Sequence, residues 1–155
     1  MAEDSGEEIQ LVVFKLNNEE YGVEISQVRE IIKMTKITNI PRAPPFLEGV
    51  INLRGQITAV MDLKKRLGLK GRAEGEKARI IIGEIGDIVM GMIVDSVSEV
   101  LRIEVKNIDP TPSISTEIEA EYIRGVGKVD DRLIILLDLE KILTPKEVAQ
   151  VKEIQ

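Results

Sequence analysis

The sequence contains no cysteine, no histidine and no tryptophan. The first absence excludes disulfides, thiolate nucleophiles and thiolate metal ligands; the second removes the commonest general base and the commonest transition-metal ligand. Aromatic residues are scarce: only Phe14, Tyr21, Phe46 and Tyr122 could stack on bases, and a net charge of −6 opposes tight binding to a phosphate backbone. Nucleic acid is therefore not an expected partner. No uninterrupted apolar run approaches the ~20 residues of a membrane span. The acidic start, Met1 to Glu8, is expected to form a solvated tail (residues 1–8) rather than a signal peptide, which places the chain in the cytoplasm. Phosphate-cradling and dinucleotide-binding glycine motifs are missing too. The expectation is no catalytic residue, no cofactor and no metal.

What is present is a patterned, soluble-type chain of 155 residues with 43% hydrophobic and 31% charged residues, enough for one ordinary domain or two very small barrels sharing an interface. Its most informative stretch runs from Phe46 to Leu63. Val50, Ile51 and Leu53 form a strand-like run, Arg54-Gly55 supplies a turn, Ile57 to Met61 resumes the run, and Asp62 precedes the helix-spaced Leu63 and Leu67. The same pattern returns 76 residues later without a gap, pairing Gly49 with Gly125, Val50 with Val126, Asp62 with Asp138, Leu63 with Leu139 and Leu67 with Leu143. A second match precedes it: Tyr21 to Ile31 aligns with Met90 to Val100 in its glycine, in a valine ahead of a glutamate and in the closing aliphatics. Two ungapped matches in the same order point to duplication.

Along the chain, Ile9–Leu16 and Tyr21–Ile25 read as a hairpin around Asn17-Asn18-Glu19-Glu20. Ile25, Val28, Ile31 and Ile32 fall at helical spacing, so Val28, Glu30 and Ile31 are expected in one or two helical turns before a strand. Pro41, Pro44 and Pro45 make a stiff, extended connection. The polar, glycine-bearing stretch from Leu69 to Lys77 is the expected boundary between halves and is expected to be mobile. Ala78–Ile85 and Ile88–Val94 form a hairpin around Gly86-Asp87. Ser96-Val97-Ser98-Glu99 has the form of a capping box and predicts a short helix, after which Leu101, Ile103 and Val105 alternate as a strand. A second proline connection, Asp109-Pro110-Thr111-Pro112, leads to an expected acidic loop over 113–121. Thr144, Pro145 and Glu147, with a Leu143/Val148 staple, define a C-terminal helix over 144–154 that docks through Val148, Val151 and Ile154. The halves are approximately 9–70 and 78–143 within a single domain over 9–155, with exchange of strands between the halves left open.

Asp62 and Asp138 could pair as acid and base, but each stands before a helical stretch where a carboxylate caps free N–H groups, and capping is the better reading. Gly49 and Gly125 enter equivalent strands where a close neighbour or the backbone excludes a side chain. Arg54, at a turn tip, is either a solubilising residue or an interface anchor. Val28 and Ile31 are core residues, or line a groove for a partner helix if they border the junction of the two halves.

Three blocks carry a resemblance: Tyr21-Gly22-Val23-Glu24-Ile25 with Val28-Arg29-Glu30-Ile31; Ile40-Pro41-Arg42-Ala43-Pro44-Pro45-Phe46-Leu47-Glu48-Gly49-Val50-Ile51-Asn52-Leu53-Arg54-Gly55; and Val94 to Leu101. Together they resemble the CheW-like chemotaxis coupling proteins over nearly the whole chain. The resemblance implies a mostly β fold of two pseudo-repeated SH3-like β-barrels packed together, with short helices and a C-terminal helix. It implies a non-catalytic adaptor joining the cytoplasmic helical tip of methyl-accepting chemoreceptors to the regulatory domain of the histidine kinase CheA. The protein would then be cytoplasmic and recruited to receptor arrays at the inner face of the membrane, without inserting into it. Carried over residue by residue, the receptor groove falls at Val28, Glu30, Ile31, Val100 and Leu101, with Asn52 and Arg54 close by and Gly49 and Gly125 supporting partner-facing surfaces. The Lys70-to-Lys77 stretch and Arg79, in a strand usually apolar there, depart from the family pattern. Readings from other classes are a small hydrolase using Asp62 and Asp138, and a generic small-barrel module for a peptide or nucleic acid.

Overall fold

A computed structural model describes residues 6–110 and 119–155. The strands among the described residues are β1 (Glu8–Leu16), β2 (Glu19–Glu24), β3 (Val28–Lys33), β4 (Leu47–Leu53), β5 (Gln56–Asp62), β6 (Arg79–Ile85), β7 (Ile88–Val94), β8 (Ser96–Glu104), β9 (Ile108–Asp109), β10 (Ile123–Val129) and β11 (Arg132–Leu137). The helices are α1 (Leu63–Arg66) and α2 (Pro145–Ile154). One six-stranded sheet has the order β8-β1-β2-β11-β10-β9, and a five-stranded sheet the order β3-β6-β7-β5-β4. They make a first and a second barrel.

The two sheets are built to one plan from exchanged parts. β5 lies parallel to β7 with Val60 opposite Gly91, and β11 lies parallel to β2 with Leu136 opposite Gly22, the repeat-equivalent pair. Beyond β4, Thr38 bridges to Val50; beyond β10, Asp109 pairs with Val126, again the equivalent position. The first barrel thus takes β1 and β2 from the first repeat and β8 to β11 from the second, while the second barrel takes β3 to β5 from the first and β6 and β7 from the second. The crossings are short. A 3-10 turn at Ile25–Gln27 carries the chain from β2 into β3, and Asp95 alone separates β7 from β8.

Three apolar clusters follow from this arrangement. Leu11, Val13, Ile103, Ile134 and Leu136 fill the first barrel, and Ile51, Val60, Ile80, Ile82 and Ile93 fill the second. The largest lies between the sheets and draws Val12 and Phe14 from β1, Ile81 from β6, Met90 and Met92 from β7, and Val151 from α2. Successive residues of a strand alternate faces, so each central strand feeds a barrel interior on one side and the shared layer on the other. α2 starts as its sequence dictates: the Thr144 hydroxyl accepts from the Glu147 N–H, the Glu147 carboxylate accepts from the Thr144 N–H, and Pro145 occupies the first turn. Val151 is fully buried, and Val148 and Ile154 pack beside it.

Several expectations are corrected. Ser96 to Glu99 is the start of β8, not a helix; eight register pairs with β1 decide the matter against the local capping pattern. Val28, Glu30 and Ile31 likewise lie in β3, and only Ile25–Gln27 is helical. Val105 begins a 3-10 turn rather than ending a strand. The stretch from Leu69 to Lys77, expected to be mobile, is tied down: Asn17 donates to the Lys70 carbonyl, Arg72 pairs with Glu48, and the Ala73 N–H donates to Asp62. β1 begins at Glu8, the last residue of the expected tail; residues 1–5 lie outside the described residues. So do residues 113–118 of the expected acidic loop, whereas Ala120–Tyr122 forms a 3-10 turn.

Candidate functional site

The β4–β5 turn is shaped by its own residues. Arg54 and Gly55 both take positive φ, 51° and 88°, the conformation of a two-residue hairpin loop matched to strand twist. The Asn52 side-chain oxygen accepts the Gly55 N–H at 2.7 Å and fixes the loop. From this tip the Arg54 guanidinium reaches across the mouth of the second barrel and makes a two-pronged pair with the Glu30 carboxylate on edge strand β3. The bond from Arg54 holds Glu30 below the usual carboxylate range, and Glu30 in turn raises Arg54, so the pair stays ionised throughout the physiological range. An open cleft of about 750 Å³ lies beside it, bordered by Glu30, Arg54, Ile57, Thr58, Val89 and Gln155.

The first barrel carries a counterpart that sequence reasoning missed. Glu99 on edge strand β8 aligns with Glu30, and it too is held by an arginine from a hairpin of its own barrel, Arg132, at 2.7 Å. Arg132 also grips Glu20 through two bonds of 2.9 and 2.6 Å, which depresses Glu20 and raises the arginine. Exposed aliphatics follow the same duplication. Ile31 (38% exposed) corresponds to Val100 (49%), and Ile57 (57%) corresponds to Leu133 (48%). Four exposed aliphatics in two repeat-related pairs mark equivalent surfaces on the two barrels, and aligning the repeats for chemistry rather than for fold would have found them.

Cross-strand partners share a face, so ladder register places each edge residue. Ile31 is opposite Ile81 and Val100 is opposite Val12, both members of the layer between the barrels. Val28 and its equivalent Val97 pack on that layer as half-buried residues. Leu101, opposite Leu11, turns instead toward the interior of the first barrel and does not join Val100. β3 ladders with β6 and β8 with β1; these two edges belong to different sheets.

Gly49 and Gly125 lie on β4 and β10, against the segments that lead into the proline connections. A Cβ on Gly49 would stand 2.3 Å from the Thr38 carbonyl oxygen, and its φ of +153° disfavours any side chain; a Cβ on Gly125 would stand 2.8 Å from the Asp109 carbonyl oxygen. Both sit where the register slips by one residue. They let the proline connections press against the hairpins.

Asp62 and Asp138 act as caps. Asp62 is buried, and its oxygens accept from the Lys64 and Ala73 N–H groups; Asp138 accepts from the Glu140 N–H. Each carboxylate thus serves the turn that follows it, the capping role expected of it. Among the described residues, no cluster of three or more His, Cys, Asp or Glu could hold a metal ion, and no helix is long and apolar enough to cross a membrane.

Residues 10–147 match the family model described as the CheW-like domain. The chain belongs to the CheW-like family. Chemotaxis protein CheW of Klebsiella aerogenes is 37% identical over 145 residues, covering 94% of this chain and 87% of that protein. Chemotaxis protein CheW of Thermotoga maritima is 35% identical over 140 residues, covering 90% and 91%. Among solved structures, the scaffolding protein TtCheW from Thermoanaerobacter tengcongensis superposes with a TM-score of 0.82 at 42% identity, covering 90% of this chain and 94% of that one. The mostly β architecture of two sheets with few helices is thus the CheW-like fold, and the chain is a chemotaxis protein of that family.

Proposed function

We propose that this CheW-like chain is a non-catalytic adaptor that holds the cytoplasmic helical tip of a chemoreceptor and the regulatory domain of the kinase CheA in a fixed relation. The observation that carries the reading is the pair of repeat-related aliphatic edges flanking the layer between the barrels: Val28 and Ile31 on β3, Val97 and Val100 on β8. A helix that lays its apolar face on such an edge buries side chains at i, i+3, i+4 and i+7, the usual mode of helix recognition. The hairpin tip bearing Asn52 and Arg54, supported by Gly49, and its equivalent over Gly125 give barrel ends suited to a second small barrel of similar build. Binding both partners at once raises the effective concentration of one beside the other without any bond being made or broken. The protein would work at the inner face of the membrane through the receptor, not through a span of its own.

The test is paired binding to receptor-bearing membranes and to purified CheA. Ile31→Asp and Val100→Asp are expected to weaken receptor binding at least tenfold while sparing the kinase, because each puts a carboxylate into an apolar contact. Arg54→Glu, at an exposed turn, is expected to spare the fold and to weaken binding of the kinase more than of the receptor. Recovery of neither partner by the unaltered protein would remove the proposal; equal loss of both partners in every variant would remove the assignment of faces.

A further inference from the structure

Arg66 touches both repeats and α2 at once. Its Nε donates to the Ile142 carbonyl at 2.8 Å, and Nη1 and Nη2 donate to the two carboxylate oxygens of Glu147 at 2.9 and 2.7 Å. The guanidinium carbon lies 5.6 Å from the centre of the Phe46 ring and 5.7 Å from that of Tyr122, so the cation is held against two aromatic rings. Phe46 and Tyr122 occupy equivalent positions in the two repeats, and the repeat counterpart of Arg66 is Ile142 itself. At the centre of the duplicated arrangement a single arginine stands where symmetry would put two similar residues. Its donors reach the second repeat and α2, for which the first repeat has no equivalent.

α2 carries that contact to a distant place. Glu147, the arginine's partner, is also the third residue of the helix and accepts from the Thr144 N–H at 2.8 Å. Val151 is buried between the barrels, and Lys152 reaches Asp87 at the β6–β7 turn. Beyond the last turn, the Gln155 side-chain oxygen accepts the N–H of the fully buried Ala59 on β5 at 2.8 Å, and Gln155 borders the same cleft as Glu30 and Arg54. Ten helical residues span roughly 15 Å. The helix is a strap, fastened by Arg66 at the junction of the barrels and by Gln155 at the mouth of the second.

We propose that Arg66 is a positioning residue that locks α2 across the junction of the two barrels, so that the state of the junction is transmitted through α2 to β5 beside the Arg54 cleft. It acts through Glu147 and the helix. The proposal does not depend on the identity of any partner, and its test uses the free protein.

The test is amide hydrogen exchange by NMR on the full chain. In Arg66→Met, which keeps an apolar stem and removes the donors, the Ala59 and Val151 amides are expected to exchange at least tenfold faster while Leu11 and Ile134 in the first barrel keep their protection. Arg66→Lys, with the charge but not the planar fork, is expected to fall between, and the reversed pair Arg66→Glu with Glu147→Arg to recover part of the protection of Ala59. Gln155→Ala should expose Ala59 alone and leave Val151 protected. An unchanged Ala59 in Arg66→Met, or equal acceleration of Ala59, Leu11 and Ile134, overturns the proposal. Should Arg66→Met not fold, Glu147→Gln decides: faster Ala59 exchange by threefold or more supports the strap, and unchanged exchange rejects it.

Discussion

Gly49 shows how much a single position can decide. With the Thr38 carbonyl oxygen 2.3 Å from where a Cβ would stand, Gly49→Ala must push the proline connection off the hairpin. We expect a loss of about 2 to 4 kcal/mol in urea unfolding, and a smaller loss for Gly125→Ala, whose backbone is unstrained. The pairing of these glycines was legible in the sequence because a duplicated glycine keeps its register. The two faces of β8 were not: Val100 and Leu101 are neighbours in sequence and equally apolar, and only the ladder to Val12 and Leu11 shows that they point opposite ways. Val28 and Ile31 share a face of β3 but differ in depth, Val28 half-buried on the layer and Ile31 exposed. Val28→Asp would thrust a carboxylate toward the layer between the barrels and is expected to cost about 1 to 3 kcal/mol as well as any binding, so Ile31 is the cleaner probe. Glu147 gives a pH signature. Burial pushes its carboxyl up, but the Thr144 N–H and the Arg66 guanidinium together hold it below its ordinary 4.5. A depressed folded value stabilises fully above the unfolded value and is lost as pH falls through the folded one. The urea midpoint is therefore expected to drop below about pH 4.5, and Glu147→Gln to flatten that part of the curve.

Among the elements, those with strong local chemistry agree with their sequence and those set by partners do not. α2 has a cap, a proline at its first position and an apolar stripe, and it forms where those signals place it. Thr144→Ala, which removes one half of the capping box, is expected to cost about 0.5 to 2 kcal/mol, measured by urea unfolding. The Gly86-Asp87 hairpin was likewise readable, and so was the first hairpin, although its turn is Asn17-Asn18 alone, with φ of 53° and 67°, and Glu19 and Glu20 already belong to β2. β3 and β8, both edge strands, misled for different local reasons: Val28 and Ile31 imitate helical spacing, and Ser96 to Glu99 imitates a capping box. The β1 and β6 ladders override the local pattern. The tethering of Leu69 to Lys77 was hidden because it rests on Asp62, Glu48 and Asn17, residues of other elements whose bonds to the stretch, two to its backbone and one to the Arg72 side chain, leave no periodic trace.

At the scale of the molecule, duplication could be read from the chain, but the exchange of strands could not, since either repeat folded on itself or with its neighbour satisfies the same pattern. Exchange changes the stability behaviour. Each barrel contains strands of both repeats, so neither repeat completes a barrel alone, and loss of one barrel strips the other of part of the largest apolar cluster. We expect a single cooperative unfolding transition, with amides of Leu11 and Val60 reporting one midpoint; two separated midpoints would show barrels that melt alone. Buried Lys64 adds to the knot, its ammonium shared between Asn17 and Asp95 and so joining the β1–β2 turn to the β7–β8 corner. The same exchange sets an order on synthesis. β2 leaves the ribosome early, yet its parallel neighbour β11 emerges almost last, and β1 waits for β8. Until β8 emerges both edges of the first hairpin are unpaired, and the β2 edge stays open until β11 follows, a template for other chains whose long-range pairing closes slowly. A newly made copy is thus most in need of a chaperone in the interval between the appearance of Tyr21 and that of Ile135.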